Sequence, residues 1–420
     1  MSVLMVVVAA ILVAVAAAPV LVMAAEYSVV YYGAREGGKV DAAGAFQAAW
    51  AAACGDGGGG MMGYRPVMRV PAGTFLVGQA YFSGPCRSAG GVLLAIDGTV
   101  VAPPAVDNTS WIMFHYAHGL AIRGGTLDGQ GRSFWACKAA GRKCLSGTTT
   151  LDISQSNNVS VKRLTLLDSK NVHVSIFDSA GVTLQAVKII APADSPHTDG
   201  IHVQLSRDVS ILSATVRTGD DCVSLGPGTS GVVIRNIRCG PGHGISIGSL
   251  GGDAGEKEVR NVTVEAAALT DTQNGLRIKT WGKPNSGHVT GVRFAHVTMR
   301  GVENPIVVDQ NYCPGNINCP GQVKLKPSHL SSCLQQNAMT DAWVITDQSS
   351  GVRISDVVYE DITGTSVTPV AVKFDCSGSN PCTGIKLRNI NLTYDGKPAQ
   401  SFCKNAGGSA SGVVSPASCL

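Results

Sequence analysis

Charged side chains are scarce in this chain. Asp, Glu, Lys and Arg make up 15% of its 420 residues, against roughly 25% in an ordinary soluble domain, a shortage that argues against coiled coils and helical bundles. Aromatic residues stand at 5% and no run of Lys or Arg occurs, so the formal net charge of +4 does not point to nucleic acid. No CxxC pair is present and the cysteines are scattered, which sets zinc aside. The Gly-rich stretch 55–60 lacks the Lys and Ser/Thr of a phosphate-binding loop. After the opening segment, no apolar run is long enough to cross a bilayer.

Glycine and cysteine are plentiful. With 51 Gly and 45% apolar residues the chain has enough material for a large core, and the balance points to β structure rich in turns. The uncharged opening MSVLMVVVAAILVAVAAAPVLVMAA, residues 1–25, reads as a secretory signal, with an uncleaved anchor as the lesser alternative. Residues 26–420 form the functional part. The 13 cysteines fall into close couples: Cys54 with Cys86, Cys137 with Cys144, Cys222 with Cys239, Cys313 with Cys319, Cys376 with Cys382 and Cys403 with Cys419. These suggest local disulfides formed in an oxidising compartment and leave Cys333 over. Sequons at Asn108, Asn158, Asn261 and Asn391 are consistent with export.

From about Val92 onward one pattern recurs: a small or polar residue, then Val, Ile or Leu alternating with polar residues, as in NNVSVKRLTLL, AGVTLQAVKII, RDVSILSATV and SGVVIRNIRC. Taking Val159, Val182, Val209, Val232 and Val259 as equivalent gives a repeat of roughly 20 to 30 residues, the size of one solenoid coil. Alternation of period two means strands. Without amphipathic helices between them or the Leu/Asn spacing of a leucine-rich repeat, the coils predict a parallel β-helix. Residues at equal phase in successive coils then form a column on one face. The segment DAAGAFQAAWAAAC, with Phe46 and Trp50 one helical turn apart, predicts a helix that caps the first coil. Residues 323–350 break the rhythm and read as an irregular insertion, after which Val352 takes up the phase of Val289.

Polar residues inside the repeats gather in four strings: SPHTDGIHV with Asp199, TGDDCVSLG with Asp220 and Asp221, GPGHGISIGS with His243, and NGLRIKTW with Arg277 and Lys279. Their separations follow the coil, which would bring three carboxylates, an imidazole and two cations onto one face. Such carboxylates repel, so at least one must hold a raised pKa. A protonated acid beside an ionised base is what hydrolysis of a glycosidic bond requires. Arg277 and Lys279, two apart on a strand, face one way and suit an acidic sugar. Taken singly, each string has an ordinary structural reading as a turn or a satisfied histidine. That reading is kept for His202 and His288.

The four strings, in this order and at this spacing, resemble the signature motifs of polygalacturonases, glycoside hydrolase family 28, and the likeness runs from about Tyr27 to Leu420. The upstream segments AFQAAWAAAC, VPAGTFLVG and GGTLDGQG are most similar to the plant exopolygalacturonase branch found in pollen. The resemblance implies an all-β, single-stranded, right-handed parallel β-helix of the pectin lyase-like kind. It also implies secretion to the cell wall and hydrolysis of α-1,4-galacturonosyl linkages of pectin, probed first as attack from a chain end. Asp220 would be the general acid; Asp199 and Asp221 would hold and activate the water, with inversion; His243 would support the acid. Arg277 and Lys279 would take the galacturonate carboxylate, and Tyr312 in NYC would line the site. The implied partners are polygalacturonate and pectin oligosaccharides, bound by a monomer without metal or cofactor and without nucleic acid or a membrane. One residue departs from the pattern: the family's Asn-Thr-Asp is His197-Thr198-Asp199 here, placing a bulkier, titratable group beside the carboxylates. That departure keeps a weakly active or non-catalytic pectin-binding homologue as an alternative, beside a rhamnogalacturonan hydrolase or a Ca²⁺-dependent pectate lyase.

Overall fold

In the computed structural model the repeats stack as parallel strands from Glu26 to Ser415. The structure describes residues 25–58, 64–104, 109–144, 147–314, 319, 322–324, 343–345 and 349–420. Residues 1–24 of the expected signal segment, the sequon at Asn108 and Cys333 lie outside the described residues. Two sheets form the walls of a parallel β-helix, one of 22 strands and one of 11, and successive coils pair strand to strand. A typical coil contributes Asn157–Lys162 and Thr165–Leu167 to the larger sheet and Val174–Phe177 to the smaller one.

The interior is a set of aliphatic columns. On the smaller sheet Ile201, Val223, Ile245, Leu276 and Ile306 lie rung over rung, each almost wholly buried. Burying one such side chain is worth about 1.5–3 kcal/mol. A column therefore resists sliding of one coil against the next.

The phase of each coil is fixed by a backbone kink. Asn158, Asp208, Asn261 and Asp356 adopt φ of 56°, 57°, 56° and 52°, and Gly181, Gly231, Gly291 and Gly384 adopt 65°, 65°, 66° and 65° at the same point of their own coils. Asn, Asp and Gly are the residues that enter this left-handed region most readily. The inward Val or Ile follows directly. This kink corrects the sequence alignment at one coil: Val232 pairs with Val262, not Val259, and Val259 pairs onward with Val289. Past the insertion the phase is displaced too, because Val289 pairs with Ile354 while Val352 faces Gly287. Within the insertion Gln322–Lys324 and Trp343–Ile345 pair antiparallel.

The ends are closed as expected at the start and pinned at the finish. A helix at Ala43–Gly55 buries Phe46 and Trp50 over the first coil, and the Trp50 indole donates to the Ser83 carbonyl at 2.9 Å. A second helix, Arg132–Ala139, was not anticipated. Its eight residues RSFWACKA are too short for a periodic signal, and the Cys137–Cys144 disulfide closes it. The six expected disulfides are all formed. Among the described residues no helix is long and apolar enough to cross a membrane.

Candidate active site

The site is built where loops enter the strands of the smaller sheet. Asp199 precedes Ile201–Gln204, Asp220 and Asp221 precede Val223–Leu225, His243 precedes Ile245–Leu250, and Arg277 and Lys279 lie on Asn274–Trp281. These strands are consecutive in the sheet. The four strings therefore open on one face, and the loops are tied together beneath it. Thr218 donates to the Thr198 hydroxyl at 2.8 Å and also meets the Thr198 carbonyl, with both threonines fully buried. The Cys222–Cys239 disulfide anchors the residue after Asp221.

Asp221 is the buried hub. One of its oxygens accepts from Ser246 at 2.8 Å and from the Arg277 guanidinium at 2.9 Å; the other accepts from the Lys279 ammonium at 2.6 Å. Both cations were expected to face a sugar carboxylate, and here they engage Asp221. Arg277 spends one further donor on Ser246, at 3.1 Å, so each cation keeps donors for a second anion. Tyr312, implied by the resemblance, lies beside both cations, its ring 5.3 Å from the Lys279 nitrogen and 6.0 Å from the Arg277 guanidinium. Trp281 meets that ring edge-on with centroids 5.3 Å apart.

Asp220 is flanked by two imidazoles. Its Oδ1 accepts from the Asp221 amide at 2.8 Å and lies 3.0 Å from His243 Nδ1. The exposed His197 ring brings its Nδ1 to 3.9 Å from the other oxygen. His197 has φ of 56°, a conformation that histidine shares with Asn and Asp. This explains how the backbone accommodates the departure from the expected Asn.

The charges are unequal, as mutual repulsion requires. Burial, together with the charges of Asp221 and Asp220, pushes the Asp199 carboxyl up to about 7. For Asp220, burial favours the neutral form, but the His243 hydrogen bond and charge and the Asp221 amide outweigh it and hold the group below its ordinary value. Below about pH 7 a proton in this cluster therefore favours Asp199 over Asp220. Ser224 donates to Asp199 at 2.6 Å and lies 2.8 Å from His202. Sequence reasoning missed Ser224 and Ser246. Their signal was register: each stands one residue after an inward aliphatic, in the outward column of His202 and Arg277.

The acidic atoms are close, yet they make a poor cation site. Ligand atoms of Asp220, Asp221 and His243 lie within 4.8 Å of one another, but Arg277 and Lys279 already neutralise Asp221 and repel a further cation.

A family model described as "Glycosyl hydrolases family 28" matches residues 64–330 and 321–419. The chain belongs to that family. A family 28 glycoside hydrolase is not a lyase, and the lyase alternative falls. Among its relatives, a polygalacturonase of Prunus persica is 49% identical over 399 residues, 94% of this chain and 93% of that one. An exopolygalacturonase of Platanus acerifolia is 36% identical over 399 residues, 93% of this chain and 97% of that one. Among solved structures, a polygalacturonase from Erwinia carotovora superposes with a TM-score of 0.65 at 25% identity, covering 93% of this chain and 97% of that one. An endo-xylogalacturonan hydrolase from Aspergillus tubingensis gives 0.72 at 20% identity, over 93% and 100%, and shares the fold.

Proposed function

We propose that this family 28 enzyme hydrolyses α-1,4-galacturonosyl linkages of pectin, acting from a chain end and inverting the anomeric carbon. The observation that carries the reading is the convergence of Asp199, Asp220 and Asp221 with His243, Arg277 and Lys279 on one face. Asp220 donates its proton to the glycosidic oxygen. Asp199 and Asp221 hold the attacking water on the other side, and Asp199 receives its proton. The spare donors of Arg277 and Lys279 bind the galacturonate carboxylate against Tyr312.

The resting proton must move for this chemistry. Its transfer from Asp199 to Asp220 leaves Asp199 ionised and removes one of the two charges that favoured its neutral form, so one proton supplies the acid and its departure the base. The Asp220–His243 contact, at 3.0 Å, holds the acid in place. Chain-end attack is supported by likeness to the Platanus exopolygalacturonase, and export by the apolar residues 1–25 and the six disulfides. The test is Asp220→Asn: release of reducing ends from polygalacturonate should fall by about 10²–10⁴ or more with the fold retained, and wild-type product should be monomer with inverted configuration. Near-normal turnover in the variant removes Asp220 from its role, and mixed oligomeric products remove chain-end attack.

A further inference from the structure

The outward column that carries the site continues in both directions, and its charge is one-sided. Upstream of His202 it runs through Tyr81, Met113, Asp152 and Ser175, with no cation. Downstream, Arg277 is followed by Val307, Lys373 and Phe402 on successive strands. At about 4.8 Å per rung, Lys373 stands about 10 Å and Phe402 about 14 Å beyond Arg277. These two residues line a cavity of about 490 Å³ together with Asn304, Val370 and Asp375. Among the described residues Phe402 is one of the few large apolar side chains left open, at 43% exposure. The Lys373 ammonium reaches Asp375 only at 3.8 Å, so its donors are not consumed by that carboxylate. The neighbouring column adds Lys279, Asp309, Asp375 and Lys404. Burial raises the Asp309 pKa.

We propose that the Lys373–Phe402 cavity is a distal subsite for an acidic sugar, and that the body of the polymer lies over the C-terminal coils. A cation beside an open aromatic ring provides a charge partner for the sugar carboxylate and an apolar face for the ring carbons. The cavity lies in line with Arg277, so one chain meets both. The upstream column carries Asp152 and no Lys or Arg, so that column offers a polyanion no charge partner. The assignment rests on the proposed galacturonan substrate.

The experiment compares a short and a long oligogalacturonate, the dimer and the octamer, by kcat/KM and, in the Asp220→Asn background, by calorimetric binding to the full chain. Wild type should favour the octamer, and Lys373→Ala or Phe402→Ala should each lower the octamer-to-dimer ratio roughly three- to tenfold, the worth of one exposed charged or stacking contact. Lys373→Arg should retain it. A ratio that survives both alanine substitutions overturns the subsite. If no galacturonan is hydrolysed yet octamer binding depends on Lys373, the subsite stands and the proposed activity fails.

Discussion

Replacing Asp199 by Asn tests where the shared proton rests. The folded enzyme raises this carboxyl from 3.8 to about 7. Between those values the native chain binds a proton that the unfolded chain has released, so wild-type stability falls as pH rises through the window and the loss is complete above pH 7. A shift of this size is worth at most about 4 kcal/mol at 1.36 kcal/mol per unit, and part of it is shared with the charges of Asp220 and Asp221, which leaves roughly 2–4 kcal/mol for the substitution. Asn is neutral at every pH, and its carbonyl can still accept from Ser224, which donates to Asp199 at 2.6 Å. The two proteins should match in urea midpoint near pH 4, and the variant should become the more resistant one by pH 8.5. Titrations remote from Asp199 are common to both and cancel in the difference. Parallel midpoint-versus-pH curves would refute the placement of the proton on Asp199.

Three further outcomes follow from the same geometry. The carboxylate cluster gives up its last shared proton near the Asp199 value of about 7, so kcat/KM on polygalacturonate should decline about tenfold per pH unit above it; a profile flat to pH 9 contradicts the shared-proton account. Asp221→Ala strands Arg277 and Lys279, whose side chains are 11% and 8% exposed, and should cost roughly 3–5 kcal/mol in denaturant unfolding, whereas Asp220→Asn, which leaves that network whole, should cost far less. The Tyr359 hydroxyl is buried without a hydrogen-bond partner among the described residues, so Tyr359→Phe should hold or raise stability by about 1 kcal/mol; a clear loss would mean that the hydroxyl is satisfied after all.

Much of the architecture is written locally. Period-two alternation gives strands whatever surrounds them, and an Asn, Asp or Gly that accepts positive φ, as at Asn158, Gly181 and Asp208, starts each coil by its own backbone preference. The close cysteine couples belong to the same class, since short separations leave few partners within reach. Lead-residue counting failed where it ignored the kink: Val259 looks like Val232 in isolation, but Asn261 sets the phase and makes Val262 its neighbour.

The site divides the same way. The identities of Asp199, Asp220, Asp221, His243, Arg277 and Lys279 were legible because their separations echo the coil, whereas Tyr312 came only from the family resemblance. Their charge states and partners were not. That Arg277 and Lys279 clasp Asp221, that Ser224 and Ser246 serve the carboxylates, and that the proton rests on Asp199 depend on burial and on distances of a few ångströms between different coils. Loop lengths decide those distances only once the rungs are stacked. Lys373 and Phe402 carry no motif at all, and only the stacking sets them in line with Arg277.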